Sequence, residues 1–253
     1  MLCQALRGLV AGALLAAPAA AQTADELIAK SLEARGGLDK LKAIHSIRMT
    51  GKMSVVTPMG PMELPMVIEL KRPASFRADV TVQGTAAVQA YDGKTAWGIS
   101  PQGTGQAEPM PAEAAKEMAD QADLDGALVD YKAKGHQVEL VGKEKVEGSE
   151  AYKLKVTKKD GDVEYYFLDA DSCLPIRVEA KRTIRGTEIE GESTIGDYKE
   201  AGGFLWPYSI QNGAKGRPEK QNLTVEKIEV NPTIDDARFR MPAAKPAEAP
   251  KKD

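Results

Sequence analysis

Along most of this chain a non-polar residue stands at every second position. Ile47, Met49, Gly51, Met53 and Val55 alternate with Arg48, Thr50, Lys52 and Ser54, and Met62, Leu64, Met66, Ile68 and Leu70 alternate with mostly polar neighbours. A period of two sends one set to each side of a strand, so each segment predicts a strand with one dry face and one wet face. The pattern continues through 76–82, 85–91 and 95–99, and resumes at 138–146, 151–157, 163–168, 174–181, 188–198, 204–211 and 223–230. Asp92-Gly93, Glu147-Gly148, Asp160-Gly161 and Gly202-Gly203 punctuate these runs, and such short connections predict antiparallel meanders.

Helical periodicity is confined to two places. Thr23 and Glu26 have capping-box spacing, Leu27, Ile28, Ser31 and Leu32 form a stripe, and Gly36-Gly37 supplies a left-handed stop, with a short second turn over 38–44. In the middle, Pro111 opens a stretch in which Ala112, Ala115, Met118, Ala119 and Ala122 recur at helical spacing, followed by Leu124, Leu128 and Val129. About eleven strands are too many for an ordinary flat sheet, which should curl, and only these short helices remain to cover its apolar side. The expected fold is mainly β, an unclosed antiparallel β-barrel covered by short α-helices.

The ends depart from this pattern. Arg7, an apolar run over 8–17 and Ala19-Ala20-Ala21 read as a signal peptide, 1–21, cleaved after Ala21 for export to the periplasm. Cys173 is then the one cysteine of the mature chain, which excludes an intrachain disulfide. Residues 242–253 (PAAKPAEAPKKD) hold no large apolar side chain and are expected to be a disordered tail. With no linker or repeat between them, 22–241 is expected to be a single domain.

Composition removes several function classes. A net charge of −3 leaves no electrostatic surplus for nucleic acid, and two histidines and two cysteines are too few for most zinc, haem or iron–sulfur sites. His45 and His136 begin strands without a nearby nucleophile motif, Asp169-x-Asp171 reads as a hairpin turn, and Glu188, Glu190 and Glu192 alternate on one strand face as a solvated surface would. No catalytic residue, metal site or cofactor is expected. Five of the nine methionines, however, fall within 49–66. Flexible thioethers suit ordinary core packing and also the wall of a hollow that holds a mobile alkyl chain. They also suit Cu(I), for which Met59, Met62 and Met66 are the candidate donors.

Four stretches, ARGGLDKLKAIHSIRMTGKM (34–53), YDGKTAWGISP (91–101), YYFLDADSCLPIRVEAK (165–181) and KEAGGFLWPYSIQN (199–212), resemble the LolA-like superfamily of outer-membrane lipoprotein-sorting proteins. The resemblance implies a periplasmic open barrel, its hollow covered by helices, that holds acyl chains of a lipoprotein or lipid. It also implies membrane-bound donor and acceptor proteins. On that basis the chain is expected to be a monomeric carrier and not an enzyme. The hollow would be lined by Met49, Met53, Met62, Met66, Ile68, Phe76, Val80, Trp97, Tyr165, Phe167 and Trp206, with Met118, Leu124 and Leu128 as the underside of a lid hinged at 109–111. The alternative on the same fold is a sensor or scaffold whose concave face receives a protein partner.

Overall fold

The computed structural model describes residues 22–243 except 58–59, 104 and 185–186. The expected signal peptide, Met59 and nearly all of the expected tail lie outside the described residues. The first helix, α1 (Ala24–Arg35), starts at the capping box read from the sequence: Thr23 N donates to Glu26 Oε2 (3.0 Å) and Glu26 N to Thr23 Oγ1 (3.2 Å). After α2 (Leu38–Lys42) come β1 (Ser46–Thr57), β2 (Gly60–Lys71), β3 (Ser75–Val82), β4 (Thr85–Tyr91), β5 (Ala96–Ile99) and β6 (Glu108–Pro109). Helix α3 (Ala112–Gln121) separates these from β7 (Gln137–Val146), β8 (Ser149–Thr157), β9 (Val163–Asp169), β10 (Pro175–Ile184), β11 (Thr187–Ala201), β12 (Phe204–Ala214) and β13 (Lys220–Val230).

The thirteen strands of the described residues belong to one antiparallel sheet in the order β6-β5-β4-β3-β2-β1-β13-β12-β11-β10-β9-β8-β7. Every pair except β1–β13 joins strands consecutive in the sequence, as short turns require, and β6 and β7 are unpaired edges that leave the barrel unclosed. Every expected strand is present; the addition is β6, whose two residues are too few to show a period. The curl is visible in what α3 touches. Its apolar side, with Met118 and Ala122, packs on Phe76 and Ala96 of β3 and β5, near one end of the sheet. Its polar side reaches the β8–β9 turn near the other end, where Lys116 Nζ lies 2.7 Å from Asp160 Oδ2 and 2.6 Å from Asp162 Oδ2. One ten-residue helix thus spans the seam between the two ends. Gly51 helps β1 to bend: the β1–β13 register shifts there, and a Cβ would stand 2.1 Å from Thr224 O.

The central helix ends earlier than its pattern predicts. After Gln121 the chain forms turns through 123–135, with Gly126 (φ +71°) and Asp130 (φ +53°) in the left-handed region, so Leu124 and Leu128 are not helical. These turns, α1 and α2 fill the base of the barrel. Leu27 and Ile28 pack on Leu154 and Leu168, while Leu41, Ile44 and Val129 pack on Ile47, Phe204 and Trp206. Arg35, at the end of α1, stacks over Phe204 with its guanidinium carbon 4.6 Å from the ring centroid and donates from Nε to Leu205 O (3.3 Å).

Arg72 clasps the base together. Its guanidinium donates to both oxygens of Asp125 (2.6 and 3.0 Å), and its Nε donates to Ile44 O (2.7 Å). Lys42 Nζ also donates to Asp125 (2.8 Å). Arg72 first, and then Lys42, hold the Asp125 carboxyl down to a pKa of about 2. A carboxyl depressed in the folded state stabilises fully above its unfolded pKa, near 3.8, and that contribution is lost as the pH falls toward 2. Asp125→Asn should therefore lower the melting temperature at pH 7, and the gap to the unaltered protein should close between pH 4 and pH 2. Thermal melts across that range check it; a gap independent of pH would show that Asp125 acts by hydrogen bonding alone.

The other face of the first five strands is covered by the chain after β13. Trp97 Nε1 donates to Phe239 O (2.8 Å), Arg77 Nη1 to Arg238 O (2.7 Å), Lys71 Nζ to Ile234 O (2.8 Å) and Ser46 Oγ to Pro232 O (2.7 Å). Ile234 and Phe239 are buried by this strap. Beneath it lies Glu69, its side chain only 2% exposed, held by Arg48 Nε (2.8 Å) and Arg238 Nε (2.6 Å).

Candidate functional site

On the concave face, beyond α3, lies a hollow of about 840 Å³. Its apolar wall comes from β1–β3 and β13, through Met53, Met66, Ile68, Phe76, Ala78, Val80, Val82 and Leu223, and from Val178 and Ile189 across the barrel. These residues occupy the inward parity of their strands. Register pairs set them in tiers: Phe76 with Leu70, Ala78 with Ile68, Val80 with Met66, and Met53 with both Leu64 and Leu223. From Phe76 to Val82 the hollow follows β3 for about 20 Å at ~3.3 Å per residue. Phe76 is at the end nearest the filled base, and Met53 is toward the hairpin ends.

Polar side chains make up much of the remaining wall. Glu164 and Tyr166 of β9, Ser193 of β11, Asn212 of β12, Gln221 of β13 and Gln121 of α3 line it. Tyr166 donates its hydroxyl to Glu164 Oε2 (2.9 Å), and burial followed by the Glu164 charge pushes its pKa well above the ordinary phenol value. Lys158 Nζ lies 2.6 Å from Glu164 Oε1 and 2.9 Å from Asp120 Oδ2, so an ammonium shared by two carboxylates ties α3 to β9. Burial opposes the charge on Lys158, but Glu164 and Asp120 outweigh it and raise the pKa. Ser193 Oγ donates to Asn212 Oδ1 (2.7 Å).

Of the residues expected to line the hollow, Met53, Met66, Ile68, Phe76 and Val80 do so. The other nine stand elsewhere. Met49, Leu124 and Trp206 pack into the filled base with Ile47 and Phe204. Leu128 borders a separate apolar groove of about 330 Å³ between α1 and the turns that follow α3. Met62 is half-buried opposite Val55, toward the β1–β2 turn. Met118 is buried between α3 and β3, in contact with the sheet and not with open space. Trp97 lies on the outer face under the C-terminal strap, and Tyr165 and Phe167 lie on the outer face of β9, where Phe167 packs on Val146 and Ala151. The sequence reading missed Tyr166, Val178, Gln221 and Leu223. Parity would have found Leu223, because Leu223 pairs with Met53 in the β1–β13 ladder.

Residues outside the hollow carry local roles. Asp169 Oδ1 accepts from Asp171 N (3.2 Å) and Ser172 N (2.8 Å), which makes 169–173 a self-contained hairpin turn with Cys173 half-buried at its end. His136 Nδ1 accepts from Lys159 N (3.1 Å).

No family model matches the chain, and no curated protein matches it in sequence. Its fold does match solved structures. A LolA superfamily protein from Nitrosomonas europaea superposes with a TM-score of 0.59 at 13% identity, covering 87% of this chain and 98% of that one. The domain of a putative outer membrane lipoprotein-sorting protein from Vibrio parahaemolyticus superposes at 0.56, with 14% identity over 84% and 97% of the two chains. A DUF1329 family protein from Desulfovibrio piger superposes at 0.61, with 11% identity over 85% and 96%. The chain has the LolA-like fold.

Proposed function

We propose that this LolA-like open barrel is an exported, periplasmic binding protein that holds acyl chains of a lipoprotein or lipid in the hollow between α3 and the curled sheet. The observation that carries the reading is the wall of Met53, Met66, Ile68, Phe76 and Val80 along a hollow of about 840 Å³. Close-packed interiors rarely leave such space, and an apolar wall left in contact with water is unfavourable. Each methylene taken from water into it contributes about 0.8 kcal/mol, so a long chain gains on the order of 10 kcal/mol before ordering costs. Thioethers and small aliphatic side chains make no directional demand and accept chains of differing length and curvature. Similarity to a lipoprotein-sorting domain supports the same reading at the level of the fold. Residues 1–21 would direct export, and handover to membrane-bound donor and acceptor proteins completes the proposed role.

The test is gentle purification from the periplasm of an expressing bacterium, followed by native mass spectrometry and extraction of whatever travels with the protein. The expected result is a chain beginning at Gln22 that carries bound acyl species in stoichiometric amount. A bare protein mass that stays bare after incubation with lipid vesicles would refute acyl binding.

A further inference from the structure

Val56, at the end of β1, is 72% exposed, more than any other large apolar side chain among the described residues. It stands in a hairpin end without charge: residues 55–57 are Val, Val and Thr, and residues 60–62 are Gly, Pro and Met. Hairpin ends ordinarily collect polar turn residues, and a cluster of apolar side chains left in water at one of them points to a contact surface. The end is well formed. The β1–β2 ladder continues to the Thr57–Gly60 pair, and Thr57 Oγ1 donates to Gly60 O (2.7 Å). The charges behind it are matched, with Lys52 Nζ 3.4 Å from Glu63 Oε2 and 3.7 Å from Glu226 Oε1. On the neighbouring β12–β13 hairpin, Lys215 and Lys220 are bound to Glu179 and Glu192.

This end of the hairpin is continuous with the hollow. Val55 pairs with Met62 at inward parity, Met53 with Leu64 follows, and Met66 with Val80 and Ile68 with Ala78 come next toward the base. A single apolar track thus runs from the hairpin end to the wall of the hollow. Across the mouth, Ile189 of β11 lines the hollow and is 45% exposed, so the apolar wall reaches water there as well. The β1–β2 hairpin also stands clear of its neighbour. Val82, the last residue of β3, falls opposite Leu64, two steps past the Met66–Val80 pair. From there β2 runs back to Gly60, which carries the hairpin ~13 Å further at about 3.3 Å per residue.

We infer that the end of the β1–β2 hairpin docks on a lipid bilayer: Val56, with Val55 and Met62 beside it, enters the interfacial region, and a chain passes from the bilayer along the Val55–Met62 and Met53–Leu64 tiers into the hollow. The docking does not depend on the acyl-chain reading above, whereas the passage of a chain rests on it. A bilayer suits this surface better than a folded partner does. The end of a two-stranded hairpin presents far fewer than the roughly 20–30 residues of a stable protein interface, while a few aliphatic side chains suffice for reversible attachment to lipid. Because the charges behind the tip are matched, the attachment requires neither anionic lipid nor low salt.

Val56→Trp reports the docking directly. Its fluorescence, taken as the difference from the unaltered protein with its buried Trp97 and Trp206, should shift to the blue on addition of phosphatidylcholine vesicles and be quenched by lipid brominated along its chains. Thr85→Trp, exposed on the shorter β3–β4 hairpin, should do neither. An unchanged spectrum in Val56→Trp, or the same shift in Thr85→Trp, overturns the docking. Val56→Asp then tests delivery, with monopalmitoylglycerol as the lipid and loading read by mass spectrometry after gel filtration. Loading from phosphatidylcholine vesicles should slow about tenfold, because a carboxylate resists transfer out of water. Loading from a cyclodextrin complex, which presents the lipid without a bilayer, should be unchanged. Unchanged loading from vesicles, or equal slowing from both sources, overturns delivery through the hairpin. Loading of the unaltered protein from neither source overturns the acyl-binding reading and leaves the docking, read by fluorescence, standing.

Discussion

Replacing both Arg48 and Arg238 with Met should cost the protein about 3–5 kcal/mol of stability, because it strands the Glu69 carboxylate without a counter-charge. Glu69 is 2% exposed and receives Nε donors from the two arginines at 2.8 and 2.6 Å. Removing both donors leaves a charge that water cannot reach, and most of the cost is that residual desolvation. For a chain of this length the melting temperature should fall by about 6–20 °C. Adding Glu69→Leu to the double variant should restore much of the loss, since an apolar side chain replaces the stranded charge under the strap. The three variants form a cycle readable by denaturant unfolding. If the triple variant is no more stable than the double, the loss comes from another contact of Arg238, such as Asp79 at 3.2 Å, and not from the buried carboxylate.

The same outer face explains why part of the site was not legible in the sequence. Where one face of the sheet is wet, alternation is clean: period two puts Met66, Ile68 and Phe76 on one side of their strands, and that side lines the hollow. Trp97 is expected on the same side, but Ala90, Ala96 and Trp97 offer no polar neighbour by which to orient that part of β4 and β5. The outer side is dry at Trp97 because the strap covers it with Ile234 and Phe239. Nothing in the strap's own pattern announces that it returns to the sheet. Strand β9 presents the same ambiguity in the run VEYYFLD, where aromatics occupy both parities. Tyr165 and Phe167 are expected to face inward, whereas Glu164 and Tyr166 take that side and Phe167 is buried on the outer one. Pattern reports how wet a face is, and it falls silent where a barrel is dry inside and covered outside.

The central helix failed for a different reason. Alanine spacing continues through Ala122, but Asp123, Asp125 and Gly126 make turns of their own, and Asp125 is bound by Arg72 and Lys42. A helical hinge at 109–111 with a continuous underside from Met118 to Leu128 is therefore not the geometry of this covering segment. What α3 offers is an apolar side fixed on β3 and β5 and a charged side on the β8–β9 turn.

These assignments to inner and outer faces give opposite outcomes for two substitutions, one on each side of the sheet. Val80→Trp places a large ring in the hollow beside Met66 and Ala87, its cross-strand partners, where there is open volume to receive it. The occupied space is no longer available to a chain, so bound monopalmitoylglycerol should fall at least tenfold, while the melting temperature changes little because no packed contact is removed. Phe167→Ala acts on the other face, where the ring is fully buried against Val146 and Ala151. Truncating it leaves a cavity and should cost about 3–5 kcal/mol, with the lipid bound per folded molecule unchanged. Lipid loading after gel filtration, measured beside unfolding curves for both variants, separates the two effects. Loss of loading in Phe167→Ala below its unfolding transition would mean that the outer core sets the shape of the hollow. Full loading in Val80→Trp would mean that the chain is held elsewhere than on the wall formed by β1–β3.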